Sequence, residues 1–161
     1  MNVVPKFEPK FTIQDARLNT DPMPYYPFYD QDYFDKEIER IFRKNWLFAA
    51  RESDIPNAGD YVVREFPGMK ASLIIARDKA GKINAFYNMC PHRGNRIEIE
   101  ECGNKNRFVC SFHAWSFAHD GSLVNVPDRD AFFDLDFKQR GLKQVHVDSW
   151  LGLIFVNFDK E

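Results

Sequence analysis

Apolar positions along this chain keep two rhythms. Phe34, Ile38, Ile41 and Phe42 recur at the spacing of one helix face, with Asp30, Asp32 and Asp35 ahead of them and Arg43 and Lys44 behind, the charge order a helix dipole favours. The spacing predicts one N-terminal amphipathic helix near residues 31–44. From Trp46 onward, short runs rich in β-branched and aromatic residues alternate with turn formers. The expected strands are Trp46 to Ala50, Tyr61 to Phe66, Ser72 to Arg77, Ile83 to Tyr87, Phe108 to Cys110, Ser116 to Ala118, Gln144 to Asp148 and Leu153 to Asn157. Pro67-Gly68, residues 79–82, Asp120-Gly121 and Gly152 punctuate them. Many short strands joined by tight turns predict a mainly β fold, an antiparallel barrel or sandwich. Ahead of the helix, Pro5, Pro9, Pro22, Pro24 and Pro27 remove backbone donors, so residues 1–30 read as an extended arm. One stretch breaks the strand rhythm: residues 88–120 hold all three cysteines and three of the four histidines, and read as a site inserted into the scaffold.

Composition narrows the function classes. A chain of 161 residues has room for one core. Its 22 Lys and Arg against 24 Asp and Glu leave a charge of -2, which disfavours a basic nucleic-acid footprint. No apolar run approaches the roughly 18 residues of a membrane span, and the first residues lack a secretory signal pattern, so a cytoplasmic location is the expectation. Three cysteines is an odd number for a disulfide framework, which leaves metal ligation or burial. With 16% aromatic residues the core needs no staple, so a metal here would serve chemistry.

Cys90-Pro91-His92 and Cys110-Ser111-Phe112-His113 are a Cys-x-His and a Cys-x-x-His separated by residues 93–109. Pairs this close converge on a metal centre only from tight loops, and two such loops gather four ligands. Thiolate plus imidazole suits both zinc and an iron–sulfur cluster, so ligand type alone leaves both open.

The residues themselves carry a resemblance. Cys90-Pro-His92-Arg93-Gly94 and Cys110-Ser-Phe-His113-Ala-Trp115-Ser-Phe, then Asp120-Gly121 and Pro127, resemble the motif of the Rieske [2Fe-2S] proteins. The resemblance implies a Rieske-type antiparallel fold over residues 31–161 with a cluster-binding subdomain at about 88–121. It implies that Cys90 and Cys110 hold one iron and His92 and His113 the other, a charge pattern that raises the potential. Respiratory members carry a further cysteine in each loop, forming a disulfide, and the matching positions here are Asn95 and Phe112. The lead-in from Tyr29 to Trp46 and from Ile55 to Tyr61 is similar to that of ring-hydroxylating oxygenase α-subunits, which the small Rieske ferredoxins lack. From that branch follow a ferredoxin or reductase as electron donor, and a mononuclear Fe(II) in a catalytic domain of the same or a neighbouring subunit, often in a homotrimer. That domain is absent from this sequence, so no catalytic residue is assigned. His92 and His113 are the expected electron exit, because a ligand histidine can present its free ring nitrogen to a partner. Arg93, Gly94 and Ala114 flank the ligands with N–H groups suited to donate to sulfur, and Trp115 could cover the centre. Ala114 departs from the usual Gly, which strains a turn needing positive φ. Two other readings stand beside this one: a stand-alone Rieske-type carrier, and a structural zinc module.

The remaining candidates have simpler readings. His146-Val147-Asp148 fits strand alternation, and His119 beside Asp120-Gly121 fits a turn. Cys102 is surplus to the four ligand positions. Arg93, Arg96, Lys105 and Arg107 balance Glu98, Glu100, Glu101 and Asp120, so sequence points to no partner surface. Substrate choice among aromatic rings, quaternary amines and methyl ethers would belong to the absent domain.

Overall fold

The computed structural model describes residues 22–127 and 129–159; most of the expected arm, residues 1–21, lies outside them. Within the rest of the arm, Tyr26–Phe28 forms a short 3-10 turn with Pro27 inside it. Asp30 then caps helix α1 (Gln31–Arg40), its Oδ1 accepting the Tyr33 N–H at 2.7 Å. The helix stops earlier than the apolar spacing predicts. Ile41 is the C-cap at φ -115 and ψ -67, Asn45 donates its side-chain amide to the Ile41 carbonyl at 2.7 Å, and Phe42–Lys44 tightens into a 3-10 turn. Only Ile38 of the expected face is buried; it sits on Gly68, where a Cβ would come within 2.7 Å of its Cδ1. Phe34, Ile41 and Phe42 stay more than 40% exposed.

The main sheet has seven antiparallel strands: β1 (Leu47–Arg51), β2 (Asp60–Phe66), β3 (Ala71–Arg77), β4 (Ile83–Tyr87), β5 (Cys102–Asn104), β9 (Gln144–Trp150) and β10 (Leu153–Asn157), in the order β1-β10-β9-β4-β3-β2-β5. It curls into a half-barrel, and the Arg64 guanidinium of β2 reaches the Ala49 carbonyl of β1 at 2.9 Å across the opening. A second sheet holds β6 (Phe108–Val109), β7 (Ser116–Phe117) and β8 (Leu123–Asn125). Two of these strands, β5 and β8, went unread because three residues such as Cys102-Gly103-Asn104 carry no apolar alternation.

Two apolar cores lie on opposite faces of the main sheet. Leu73 and Ile75 of β3 point into the first with Val62, Val145, Ile154 and Val156; Ile74 and Ala76 point into the second. Burial on both faces explains why β3 is an unbroken apolar run rather than an alternating one. The second core is completed by Phe108, Phe117 and Leu123 of the small sheet, together with Cys90, Cys110 and Trp115. The inserted segment is thus welded to the scaffold by apolar burial. Among the described residues no helix is long and apolar enough to cross a membrane.

Candidate metal centre

Two loops leave this second core with the same backbone frame. In the first, the Cys90 N–H donates to the Asn95 carbonyl and the Gly94 N–H to the Cys90 carbonyl, both at 2.8 Å. In the second, the Cys110 N–H donates to the Trp115 carbonyl and the Ala114 N–H to the Cys110 carbonyl, both at 2.9 Å. Each turn closes through a left-handed residue four positions after the cysteine, Gly94 at φ 73 and Ala114 at φ 56. The N–H groups of Gly94 and Ala114 are therefore spent on carbonyls rather than on sulfur, a correction to the sequence expectation. The groups that face sulfur are the backbone N–H of His92 and Arg93 at Cys90, and of Phe112 and His113 at Cys110.

Ala114 holds the conformation that glycine adopts without penalty. Its Cβ costs about 1 kcal/mol there. Ala114→Gly is expected to raise unfolding free energy by about that amount less the entropy glycine adds to the unfolded chain, a net gain below ~1 kcal/mol, readable as a small rise in the denaturant midpoint at unchanged slope.

The base of the first loop is fastened by buried Asn88. Its Oδ1 accepts the N–H of Ile97 and of Glu98 at 3.1 and 2.9 Å, and its Nδ2 donates to the Glu98 carbonyl at 2.7 Å. Glu98, only 1% exposed, turns its carboxylate inward onto the Lys105 ammonium.

At the tips the four candidate side chains form two like pairs. Cys90 and Cys110 are both buried, and their thiols are close enough to shift each other's ionisation. Burial pushes the Cys90 thiol up to about 11. Burial also opposes the Cys110 thiolate, but the N–H groups of Phe112 and His113, the Cys90 thiol and the Asn95 amide outweigh it and hold Cys110 below its ordinary value. The imidazoles of His92 and His113 lie with ring centroids 4.7 Å apart. His92 Nδ1 is buried without a hydrogen-bond partner, which leaves its lone pair available to a metal. Burial first, then electrostatic repulsion from neighbouring groups including Arg93 and Arg140, lowers the His92 pKa and favours its neutral form, the form that binds metal.

Two aromatic rings orient His92. Trp115 stacks on it at 4.8 Å and 3°, and Phe132 meets it edge-on at 5.8 Å. Phe112 lies 3.9 Å from the His113 ring. Sequence reasoning found Trp115 but not Phe132 or Arg140, which reach the site from a loop with no motif of its own.

The other candidates lie elsewhere. Cys102 is exposed on β5, and His146 is exposed on β9. His119 is buried, with Nε2 2.8 Å from the Lys105 carbonyl and its ring against Phe108, so it ties the subdomain together rather than merely forming a turn.

The family model of the Rieske [2Fe-2S] domain matches residues 45–146. The large oxygenase component of the naphthalene 1,2-dioxygenase system of Pseudomonas aeruginosa is 42% identical over 135 residues, 82% of this chain and 30% of that protein. The carnitine monooxygenase oxygenase subunit of Escherichia coli is 37% identical over 140 residues, 87% of this chain and 36% of that protein. The crystal structure of a naphthalene 1,2-dioxygenase variant bound to phenanthrene superposes with a TM-score of 0.76 at 40% identity, covering 83% of this chain and 30% of that one. A quaternary ammonium Rieske monooxygenase in complex with L-carnitine gives 0.80 at 32% identity, covering 86% and 39%. This chain spans about a third of the length of the curated relatives it matches.

Proposed function

This chain belongs to the Rieske [2Fe-2S] domain family, and from that premise we propose that Cys90, Cys110, His92 and His113 hold a two-iron, two-sulfur cluster that relays single electrons within an oxygenase α-subunit. The observation that carries the ligand assignment is the sorting of side chains into a thiol pair and an imidazole pair with an unpartnered buried His92 Nδ1. One iron can take both sulfurs and the other both rings. When bound, the cluster supplies reversible one-electron transfer at a potential above that of all-thiolate clusters.

The protein's own residues prepare that task. The backbone N–H groups at each sulfur and the guanidinium groups of Arg93 and Arg140 near His92 favour an added negative charge. Trp115 and Phe132 fix the His92 ring and exclude water from its inner face. Both cysteines are 2% exposed, whereas both histidines are half-buried, so the imidazole end is the proposed electron exit. Its proposed acceptor is a mononuclear iron in a catalytic domain of the same or a neighbouring subunit, and its proposed donor is a ferredoxin or reductase. The relatives act, by their names, on naphthalene and on carnitine; an aromatic or quaternary-amine substrate for the parent subunit is therefore the class to test.

Anaerobically purified protein is expected to be red-brown and to contain about two iron and two acid-labile sulfide per chain. His92→Cys exchanges a neutral ligand for a thiolate and is expected to lower the potential towards the about -400 mV of plant-type clusters. Colourless protein with stoichiometric zinc would replace the cluster by a zinc site; an unchanged spectrum and potential in His92→Cys would remove His92 from the ligand set.

A further inference from the structure

Asn95 and Trp115 occupy the same position in the two loops. Each lies five residues after its cysteine, each accepts that cysteine's N–H on its carbonyl, and each sends its side chain across to the other loop. Trp115 crosses to His92. Asn95 crosses to Cys110, its Nδ2 lying 3.8 Å from the sulfur and 3.3 Å from Ser111 Oγ, while it also donates to the Arg96 carbonyl at 2.8 Å. We propose that the Asn95 amide is a positioning and redox-tuning residue: it straps the loops together and raises the electron affinity of the centre by donating a hydrogen bond to the Cys110 sulfur. The inference rests on the cluster reading above.

The chemistry of the surroundings fixes which way the amide points. A carbonyl, a hydroxyl and a ligand sulfur are all able to accept, so the NH2 end faces them and the carbonyl end does not. A reduced cluster carries more negative charge on its sulfurs than an oxidised one. An N–H donor therefore binds the reduced form more tightly and shifts the equilibrium towards it. Two amide protons serve three acceptors, so the sulfur shares its proton with Ser111 Oγ. The hydroxyl is thereby a competitor whose removal should strengthen the bond to sulfur.

The test is the midpoint potential of the cluster-loaded protein, read by spectroelectrochemistry alongside iron content and thermal midpoint. Asn95→Leu keeps the volume and removes both donors; the ratio of reduced to oxidised protein at a fixed applied potential is expected to fall about tenfold, which is about 59 mV for one electron. Asn95→Asp keeps the shape, removes the donors and adds a charge, and is expected to fall further. Ser111→Ala is expected to shift the ratio the other way, and to have no effect once Asn95 is Leu. If Asn95→Leu sheds its iron, the Asp variant and Ser111→Ala, read against wild type, carry the same comparison. Lower thermal stability with wild-type potentials in all variants would leave Asn95 a strap only and overturn the tuning role. Wild-type protein without iron and sulfide would instead overturn the cluster reading.

Discussion

Cys110→Ser is expected to give a folded, colourless protein. The sulfur of Cys110 lies in a pocket 2% open to solvent, faced by the backbone N–H of Phe112 and His113 and by the Asn95 amide. These donors lower the thiol pKa and ready it to lose its proton to a metal. A serine hydroxyl fits the space and can use the same N–H groups, so the fold should lose only ~1 kcal/mol, the low end of what burying a polar group costs. What it does not supply is a soft anion at neutral pH, so under the proposed ligand set one iron would be left a single thiolate and the cluster should not persist. Iron content is expected to fall more than tenfold while the far-ultraviolet circular dichroism stays native. Cys102→Ser is the control: that residue is exposed on β5, away from the paired thiols, and its variant should keep full iron. Full iron in Cys110→Ser, or its loss in Cys102→Ser, would redraw the ligand set.

Gly121→Ala should produce a large loss of stability from a single added methyl. Gly121 sits at φ +84, and a Cβ there would lie 2.6 Å from Cε1 and 2.9 Å from Cδ1 of Phe86. Phe86 is fully buried in the second core and cannot retreat. The backbone cannot yield either, because the Gly121 N–H donates to the Ala118 carbonyl and its own carbonyl accepts the Leu142 N–H at 2.8 Å. Left-handed strain of about 1 kcal/mol and overpacking of about 2 kcal/mol add to roughly 3 kcal/mol. For a chain of this size that is a fall of about 6–12 °C in Tm. Gly81→Ala separates the two causes, since Gly81 has the same φ with nothing within 4 Å of a Cβ, and should cost only the strain. Equal losses in the two variants would show that the contact with Phe86 relaxes.

The Gly121 turn shows how far the sequence could be read. Asp120-Gly121 announces a tight turn between two strands, and it is one, with Asp120 Oδ1 accepting from Ser122 N at 2.9 Å. Nothing in those residues tells that the turn presses on Phe86, which arrives from a strand more than thirty positions earlier. The same holds for α1. Its start at Asp30 and its apolar face were legible, but that only Ile38 of that face would find a partner, in the distant Gly68 turn, was not. The short strands β5 and β8 were invisible for a related reason: they exist because β2 and β7 offer partners, not because their own residues favour extension.

At the metal centre the division falls along the same physical line. Sequence by itself determined the candidate donor types and their spacing, because closely spaced donors can converge only through tight local turns, and local turns are written in local residues. It also determined that the fold is mainly β, since side-chain alternation and turn chemistry act over a few residues. Tertiary structure decided how the four candidates pair, thiol with thiol and imidazole with imidazole, and brought Phe132 and Arg140 to His92. It turned the Gly94 and Ala114 N–H groups onto carbonyls, and gave Asn95 a reach into the opposite loop. Those outcomes depend on two loops being packed against one core at a fixed separation, a distance set by Phe108, Phe117 and Trp115 that no stretch of either loop encodes alone.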